Sequence, residues 1–483
     1  MSSKAGSLGK DAITLTASKI IANVLTMLTA MLLARVRTLE ENGTYSQLLL
    51  VINLVTSILM LGLPNSINFF LAKANTEEEK NRFLSVYYTL STLLSAVVGI
   101  TLACLMPCWE TYFSNPQIAE FGFFLLIYPW TRIICSSADN VLVVLKKTKV
   151  LMLYRLFNSI AVLASILFIW LCNLDFRTYM VLYVTVEAAF ALFVYRLAAH
   201  YTGKIRFHID RDLIRRIFEF SIPIGLAGII GTLNIELDKL MIGRMFSTEE
   251  LAVYTYASKE MPVTLIASSI TAVLMPRMVR LFEQNKNREA IEMWKNATTL
   301  SVAILAFFAV GLATFSREAI TFLYSEKYVS GHMVFSVYSL CLLTKCTYFG
   351  MVLNAKGATK SILYCSIGTL ALNVMLNLFF YRMFGMIGPA LATLIAALSM
   401  QLLQLLLSSR LLEVRFCEIF PWKSSVQFLM LNGMFSAASV FVLKLVQRSV
   451  AVAILCAVLW GITYFCAIGK RALSYWNQMN STK

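Results

Sequence analysis

The sequence predicts an all-α membrane protein of about fourteen transmembrane helices: two parallel six-helix lobes around a central cavity, followed by two C-terminal helices. Three observations lead there: the composition, the division of the apolar residues into evenly spaced runs, and an internal repeat. Of 483 residues, 58% are hydrophobic and 14% charged, with a mean hydropathy of +0.71. A soluble domain is about 45–50% apolar and about 25% charged, so a soluble enzyme is excluded. The hydrophobic share amounts to roughly 280 residues, enough for about fourteen spans of about 20 residues each.

Apolar runs bounded by charged or turn residues fall at about 12–34, 45–71, 84–107, 118–145, 151–172, 179–198, 217–245, 251–276, 298–323, 332–354, 361–381, 387–408, 425–446 and 450–468. The first follows Lys4 and Lys10, but it is too long for a signal peptide and lacks a small-residue cleavage pattern, so it reads as a retained helix. Pro129, Pro223, Pro262 and Pro276 fall inside runs, where proline kinks or breaks a helix and frees backbone groups. Gly225, Gly228 and Gly231 suit close packing of the seventh run. Only Gln447, Arg448 and Ser449 separate the last two runs.

The basic residues orient these spans. With a cytoplasmic N-terminus, 27 of the 42 Lys and Arg fall in cytoplasmic segments and nine on the opposite side, and six lie inside or beside spans. That bias satisfies the positive-inside rule and places both termini in the cytoplasm. The +16 net charge therefore carries no nucleic-acid reading. The basic loops at about 199–216 and 277–297 are candidates for short amphipathic helices against anionic headgroups. Ten cysteines without a CxxC pair, among them Cys104, Cys172, Cys341, Cys365, Cys456 and Cys466, read as small core hydrophobes. With three histidines in total, a Cys/His metal site is not expected.

An offset of 209 residues lays Leu33–Tyr45 over Ile242–Tyr254, matching Arg35 with Arg244, Glu40-Glu41 with Glu249-Glu250, and Tyr45 with Tyr254. Six helices per repeat is an even number, so the halves run in the same direction through the bilayer. The expected organisation is a lobe at 1–208, a second at 209–410, and additional helices with a cytoplasmic tail at 411–483.

Ionisable side chains deep in spans cost about 2.5–3.5 kcal/mol on insertion scales and face a cavity or a partner. They are Lys19, Arg132, Asp139, Glu187, Glu236, Asp238, Lys239, Lys259, Glu260 and Lys345. Arg132 and Asp139 lie two turns apart on one face, fit for an Arg–Asp pair or for two contacts along one path. Glu236 and Lys239, three apart, can pair on their own helix, which leaves Asp238 to look elsewhere. Five basic and five acidic groups balance, so the acids must be paired or segregated if basic groups are to meet an anion.

Ala34-Arg35, Tyr45-Ser46, Leu61-Gly62-Leu63-Pro64-Asn65-Ser66-Ile67, Phe220-Ser221-Ile222-Pro223-Ile224-Gly225-Leu226 and Asp238-Lys239-Leu240-Met241-Ile242-Gly243 together resemble the polysaccharide-biosynthesis flippases, including O-antigen flippases. These belong to the multidrug/oligosaccharidyl-lipid/polysaccharide exporter superfamily. The resemblance implies a multi-pass protein of the bacterial plasma membrane that moves an undecaprenyl-diphosphate-linked oligosaccharide across the bilayer by alternating access. It implies an ion gradient of H+ or Na+, contact with membrane lipids and with polysaccharide polymerase machinery, no nucleic acid, no cofactor or metal, and no catalytic residue. Lys19, Arg132, Lys259 and Lys345 are then candidate substrate contacts, and Asp139, Glu236, Asp238 and Glu260 candidate coupling or pairing groups.

Two rivals are a drug/cation antiporter of the same superfamily, which needs unpaired acids and aromatic walls, and a membrane-embedded polymerase or glycosyltransferase. The latter needs a large catalytic loop, and no loop here exceeds about 22 residues. No GxxxxGK[ST] motif for ATP occurs.

Overall fold

Every apolar run folds as helix, and the instructive places are those where the helix stops. The computed structural model describes residues 2–446 and 449–481, with side chains for 16–469 apart from Ala272, Gln447 and Arg448. The side chains of Lys4, Lys10, Arg448, Lys470, Arg471 and Lys483, used in the charge tally, lie outside the described residues. Contacts divide the chain into Met1–Ala252 and Val253–Lys483.

The first unit contains α1 (Ser2–Val36), α2 (Leu39–Leu59), α3 (Glu77–Cys104), α4 (Met106–Phe113), α5 (Gly122–Val144), α6 (Thr148–Leu171), α7 (Phe176–Thr202) and α8 (Arg211–Met245). Here α1 packs along α6, α3 and α7 flank α5, and α8 lies along α2. One apolar core gathers Phe83, Tyr87, Tyr88, Ile134 and Leu151, and a second gathers Leu48, Ile52, Phe124 and Tyr179.

The chain crosses the boundary in α9 (Thr248–Ala257) and continues through α10 (Thr264–Glu283), α11 (Asn287–Thr314), α12 (Ser316–Leu323), α13 (His332–Leu340), α14 (Met351–Ala355), α15 (Thr359–Phe384), α16 (Ile387–Leu411), α17 (Phe416–Ile419), α18 (Trp422–Leu445) and α19 (Val450–Ser481). In this second unit α18 and α19 pack on α11, and α15 packs on α16. Trp294, Leu305, Trp460 and Tyr464 are fully or almost fully buried at its centre.

Among the described residues, twelve helices are long and apolar enough to cross a membrane, thirteen if the bent pair Leu39–Leu59 and Leu63–Leu71 is one span. Large apolar side chains stand exposed along them, Leu171, Tyr364 and Met434 among them, a surface that only lipid would cover. The chain is a multi-pass membrane protein.

The stretch most alike at the 209-residue offset carries the same capping bonds in both places. Thr38 caps α2 by accepting from the Glu41 amide, and Glu41 returns the bond to the Thr38 amide. Ser247 and Glu250 make the same reciprocal pair at the start of α9. The recurring second glutamate is therefore the third helical residue of a capping box. The short helix and 3-10 turn before α5 (106–113, then 116–121) recur before α13 (316–323, then 326–331).

Three runs differ from straight spans. The 45–71 run bends by 62° at Leu61 and Gly62, both left-handed (φ 44° and 74°). A side chain at Gly225 of α8 would sit 2.3 Å from the Leu61 carbonyl carbon, so only glycine fits at this crossing. Gly228 and Gly231 have open space instead. The 251–276 run is interrupted between Ala257 and Thr264, and the 332–354 run between Leu340 and Met351. Of the four prolines, Pro262 occupies an interruption, whereas Pro129, Pro223 and Pro276 lie inside continuous helix.

The two basic loops form no separate amphipathic helix. Residues 203–210 form neither helix nor strand, and 277–297 is filled by α10 and α11 with a short turn. Cys341 and Cys365 are buried as expected, but Cys104, Cys172 and Cys466 are exposed and Cys456 is intermediate. A small hydrophobe in a spanning helix faces lipid as readily as protein.

Candidate functional site

In the first unit Arg132, Asp139, Glu187 and Glu236 each meet a partner on another helix. Arg132 of α5 donates from Nη1 to Asn53 Oδ1 of α2. Asn53 Nδ2 donates to Glu236 Oε1 of α8 at 2.8 Å, and Lys239 Nζ meets Glu236 Oε2 at 2.8 Å. Glu236 is buried, and a lone carboxylate there would pay a large desolvation cost. The amide on one oxygen and the ammonium on the other relieve it. Arg132 is exposed, so its remaining guanidinium donors are open to an anion. Asp238 is buried.

Asp139, two turns along α5 from Arg132, takes a different partner. Arg155 Nε of α6 reaches its Oδ1 at 3.0 Å, and Arg155 Nη1 donates to Ser18 Oγ of α1 at 3.1 Å. The Arg132–Asp139 pair that the spacing allows is thus replaced by two inter-helix pairs. Lys19, beside Ser18, is exposed. Glu187 of α7 is buried and accepts from Asn158 Nδ2 at 3.1 Å. It makes no ion pair within 4.0 Å among the described residues.

In the second unit the charges sit at the interruptions themselves. Glu260, between α9 and α10, pairs with Lys345, between α13 and α14, at 3.0 Å, and both side chains are about half exposed. Lys259 Nζ lies 5.6 Å from the ring centre of Tyr256, which packs edge-on against Tyr324.

An interrupted helix leaves peptide groups without partners. Around Lys345 side chains supply bracing: Gln401 of α16 donates to the Thr344 carbonyl, while Trp294 Nε1 and Thr298 Oγ1 of α11 donate to Thr347 Oγ1 at 2.9 and 3.1 Å. The interruption beside Lys345 is thus held by side chains of α11 and α16. Helix interruptions are a recurrent feature of membrane transport proteins.

Charge alone does not reveal Asn53, Asn158, Ser18 or Gln401, which partner the charges or the interruptions. It also misses a buried set on α15 and α16, where Asn377 Nδ2 donates to Asn373 Oδ1 at 2.9 Å beside Thr393. The missed signal is uncharged amides in long apolar helices. Among the described residues no group of three or more His, Cys, Asp or Glu could hold a metal ion.

Fold and site together define a multi-pass membrane protein with charged residues at helix interruptions. Residues 32–332, more than half of the chain, match the polysaccharide biosynthesis protein family, and the chain belongs to it. An uncharacterized membrane protein of Methanocaldococcus jannaschii is 23% identical over 416 residues, covering 82% of this chain and 97% of its own. Among solved structures, a lipid II flippase, MurJ, in an inward closed conformation superposes with a TM-score of 0.75 at 17% identity, covering 95% of this chain and 99% of that one. An inward-facing multidrug resistance MATE family transporter of the MOP superfamily gives 0.63 at 16% identity, covering 83% and 99%. The fold is that of MurJ and the MATE transporters.

Proposed function

We propose that the protein is a flippase that moves a lipid-linked oligosaccharide, an undecaprenyl-diphosphate-linked O-antigen or exopolysaccharide repeat unit, across the plasma membrane by alternating access coupled to an H+ or Na+ gradient. The observation that carries this reading is the Lys345–Glu260 pair spanning two helix interruptions. Lys345 holds a positive charge deep in apolar helices, half exposed, against a partner that a diphosphate can displace. Arg132, exposed and held by a neutral amide, is a second donor of the same kind. Lys19 and Lys259 complete the substrate set, with Asp139, Glu236, Asp238 and Glu260 as pairing or coupling groups. The family description and the lipid II flippase among the structural relatives support the substrate class.

In this reading the transport lobes are 1–208 and 209–410, with 411–483 appended, and both termini are cytoplasmic. The protein transports rather than catalyses.

The MATE likeness keeps a cation antiporter as the second reading. Against it, the Tyr256 ring face is approached by the protein's own Lys259. The test is deletion of the gene followed by localisation of the lipid-linked oligosaccharide. Accumulation in the inner leaflet, rescued by the wild-type gene but not by Arg132→Ala or Lys345→Ala, is expected. Precursor already in the outer leaflet with unchanged surface polysaccharide refutes it, and drug export lost in place of polysaccharide favours the antiporter.

A further inference from the structure

The connection between α7 and α8 is a strap bound along α3. Residues 203–210 form an irregular connection tied to α3 at every second residue. Asn81 Nδ2 donates to the Lys204 carbonyl at 3.3 Å, the Arg206 amide to Ser85 Oγ at 3.3 Å, and the His208 amide to Thr89 Oγ1 at 3.1 Å. Arg82 Nε closes the far end on Asp210 Oδ2 at 2.8 Å. The Leu213 amide, which that carboxylate caps, and Arg82 hold Asp210 below the usual carboxylate range. Asn81, Ser85 and Thr89 form one face of α3, rising about 12 Å over eight residues. Thr89 lies inside the apolar run that begins near 84, so the strap sits at the edge of the hydrophobic span.

On this pinned backbone two large apolar side chains point away from the protein: Phe207 is 72% exposed and Ile209 56%. Ile205, by contrast, packs onto the core containing Tyr87. Around them Lys204, Arg206, Arg211, Arg215 and Arg216 are all exposed. Of the neighbouring acids, Asp210 is engaged with Arg82 and Glu219 with Arg215 at 2.8 Å, while Asp212 is exposed and offsets one of the five basic charges. Exposed apolar groups at the level of the interface, set in a surplus of positive charge, are complementary to an anionic bilayer surface.

We propose that the 203–210 strap is a phospholipid-binding site, seating Phe207 and Ile209 at the boundary of headgroups and acyl chains while Lys204, Arg206, Arg211 and Arg216 meet the phosphates of anionic lipids. The occupant is the bulk membrane lipid, and the inference is independent of what the protein transports.

The test is amide hydrogen exchange on the full chain in lipid nanodiscs, comparing phosphatidylcholine alone with phosphatidylcholine containing phosphatidylglycerol. Exchange over 204–210 is expected to slow several-fold with the anionic lipid, while α3 is unchanged. The slowing should vanish in Phe207→Ser/Ile209→Ser and shrink in Lys204→Gln/Arg206→Gln. Equal exchange in the two lipids, or slowing that survives both variants, overturns the proposal. If the serine pair loosens α3, the Gln pair, which removes charge without touching packing, decides it.

Discussion

Replacing Lys345 by Met should abolish transport and leave the fold almost as stable as before. The ammonium meets Glu260 at 3.0 Å, but the two side chains are 47% and 55% exposed. At that distance the full Coulomb attraction in a water-like dielectric is about 1.4 kcal/mol, and exposed pairs retain roughly 0–1 kcal/mol after side-chain ordering and screening. The interruption itself is braced by Gln401, Trp294 and Thr298, none of which depends on the ammonium. Lys345→Met should therefore lower unfolding stability in detergent by less than about 1 kcal/mol. In a deletion strain it should fail to restore surface polysaccharide at normal protein abundance, and Lys345→Arg should restore part of it. Full complementation by Lys345→Met would remove the residue from the mechanism. A large stability loss would show instead that the pair holds the two interruptions together.

Four further outcomes follow from the geometry. Lys239→Ala strips a buried carboxylate of its cation; breaking a buried pair costs about 3–5 kcal/mol, the remaining Asn53 bond to Glu236 reduces that, and Glu236→Gln alongside it should recover much of the loss in thermal unfolding. Gly225→Val places Cβ within 2.3 Å of the Leu61 carbonyl carbon and should cost about 1–3 kcal/mol or more, whereas Gly228→Ala, with open space around it, should be neutral or stabilising in the same melt. Because Asp210 is held below its ordinary value, its contribution is fully present above the unfolded carboxylate value of about 3.9 and is lost as pH falls through the lower folded value. The melting difference between wild type and Arg82→Ala should accordingly persist near neutrality and narrow only below about pH 4. For topology, thiol labelling of cysteines introduced into a cysteine-free background should find 203–210 inside and 325–331 outside, and the reverse result would invert the orientation.

Much of this architecture is legible in the sequence, for definite reasons. Spans are readable because a bilayer demands length and apolarity from each one independently, and the likeness of 38–41 to 247–250 because capping boxes write Thr or Ser three residues before Glu. The broken spans are harder to read. Lys259, Glu260 and Pro262 signal trouble in one run, but around Lys345 the groups that meet the interruption come from far along the chain: Gln401 on the Thr344 carbonyl, and Trp294 and Thr298 on the Thr347 hydroxyl. Partner choice is harder still. Spacing on α5 allows Arg132 with Asp139, yet Asn53 and Arg155 on neighbouring helices win, since a charge chooses by distance across helices that one chain's periodicity does not encode. Uncharged Asn and Gln carry much of the polar network and give no alarm in a hydropathy reading.

The twin corners at 38–41 and 247–250 are alike in their capping bonds, and the likeness stops short of the charges. At the 209-residue offset, Asp139 and Arg155 correspond to Tyr348 and Tyr364, while Glu260 and Lys345 correspond to Val51 and Ser136. Neither ion pair has a charged counterpart at the matching positions, so capping recurs where ion pairing does not.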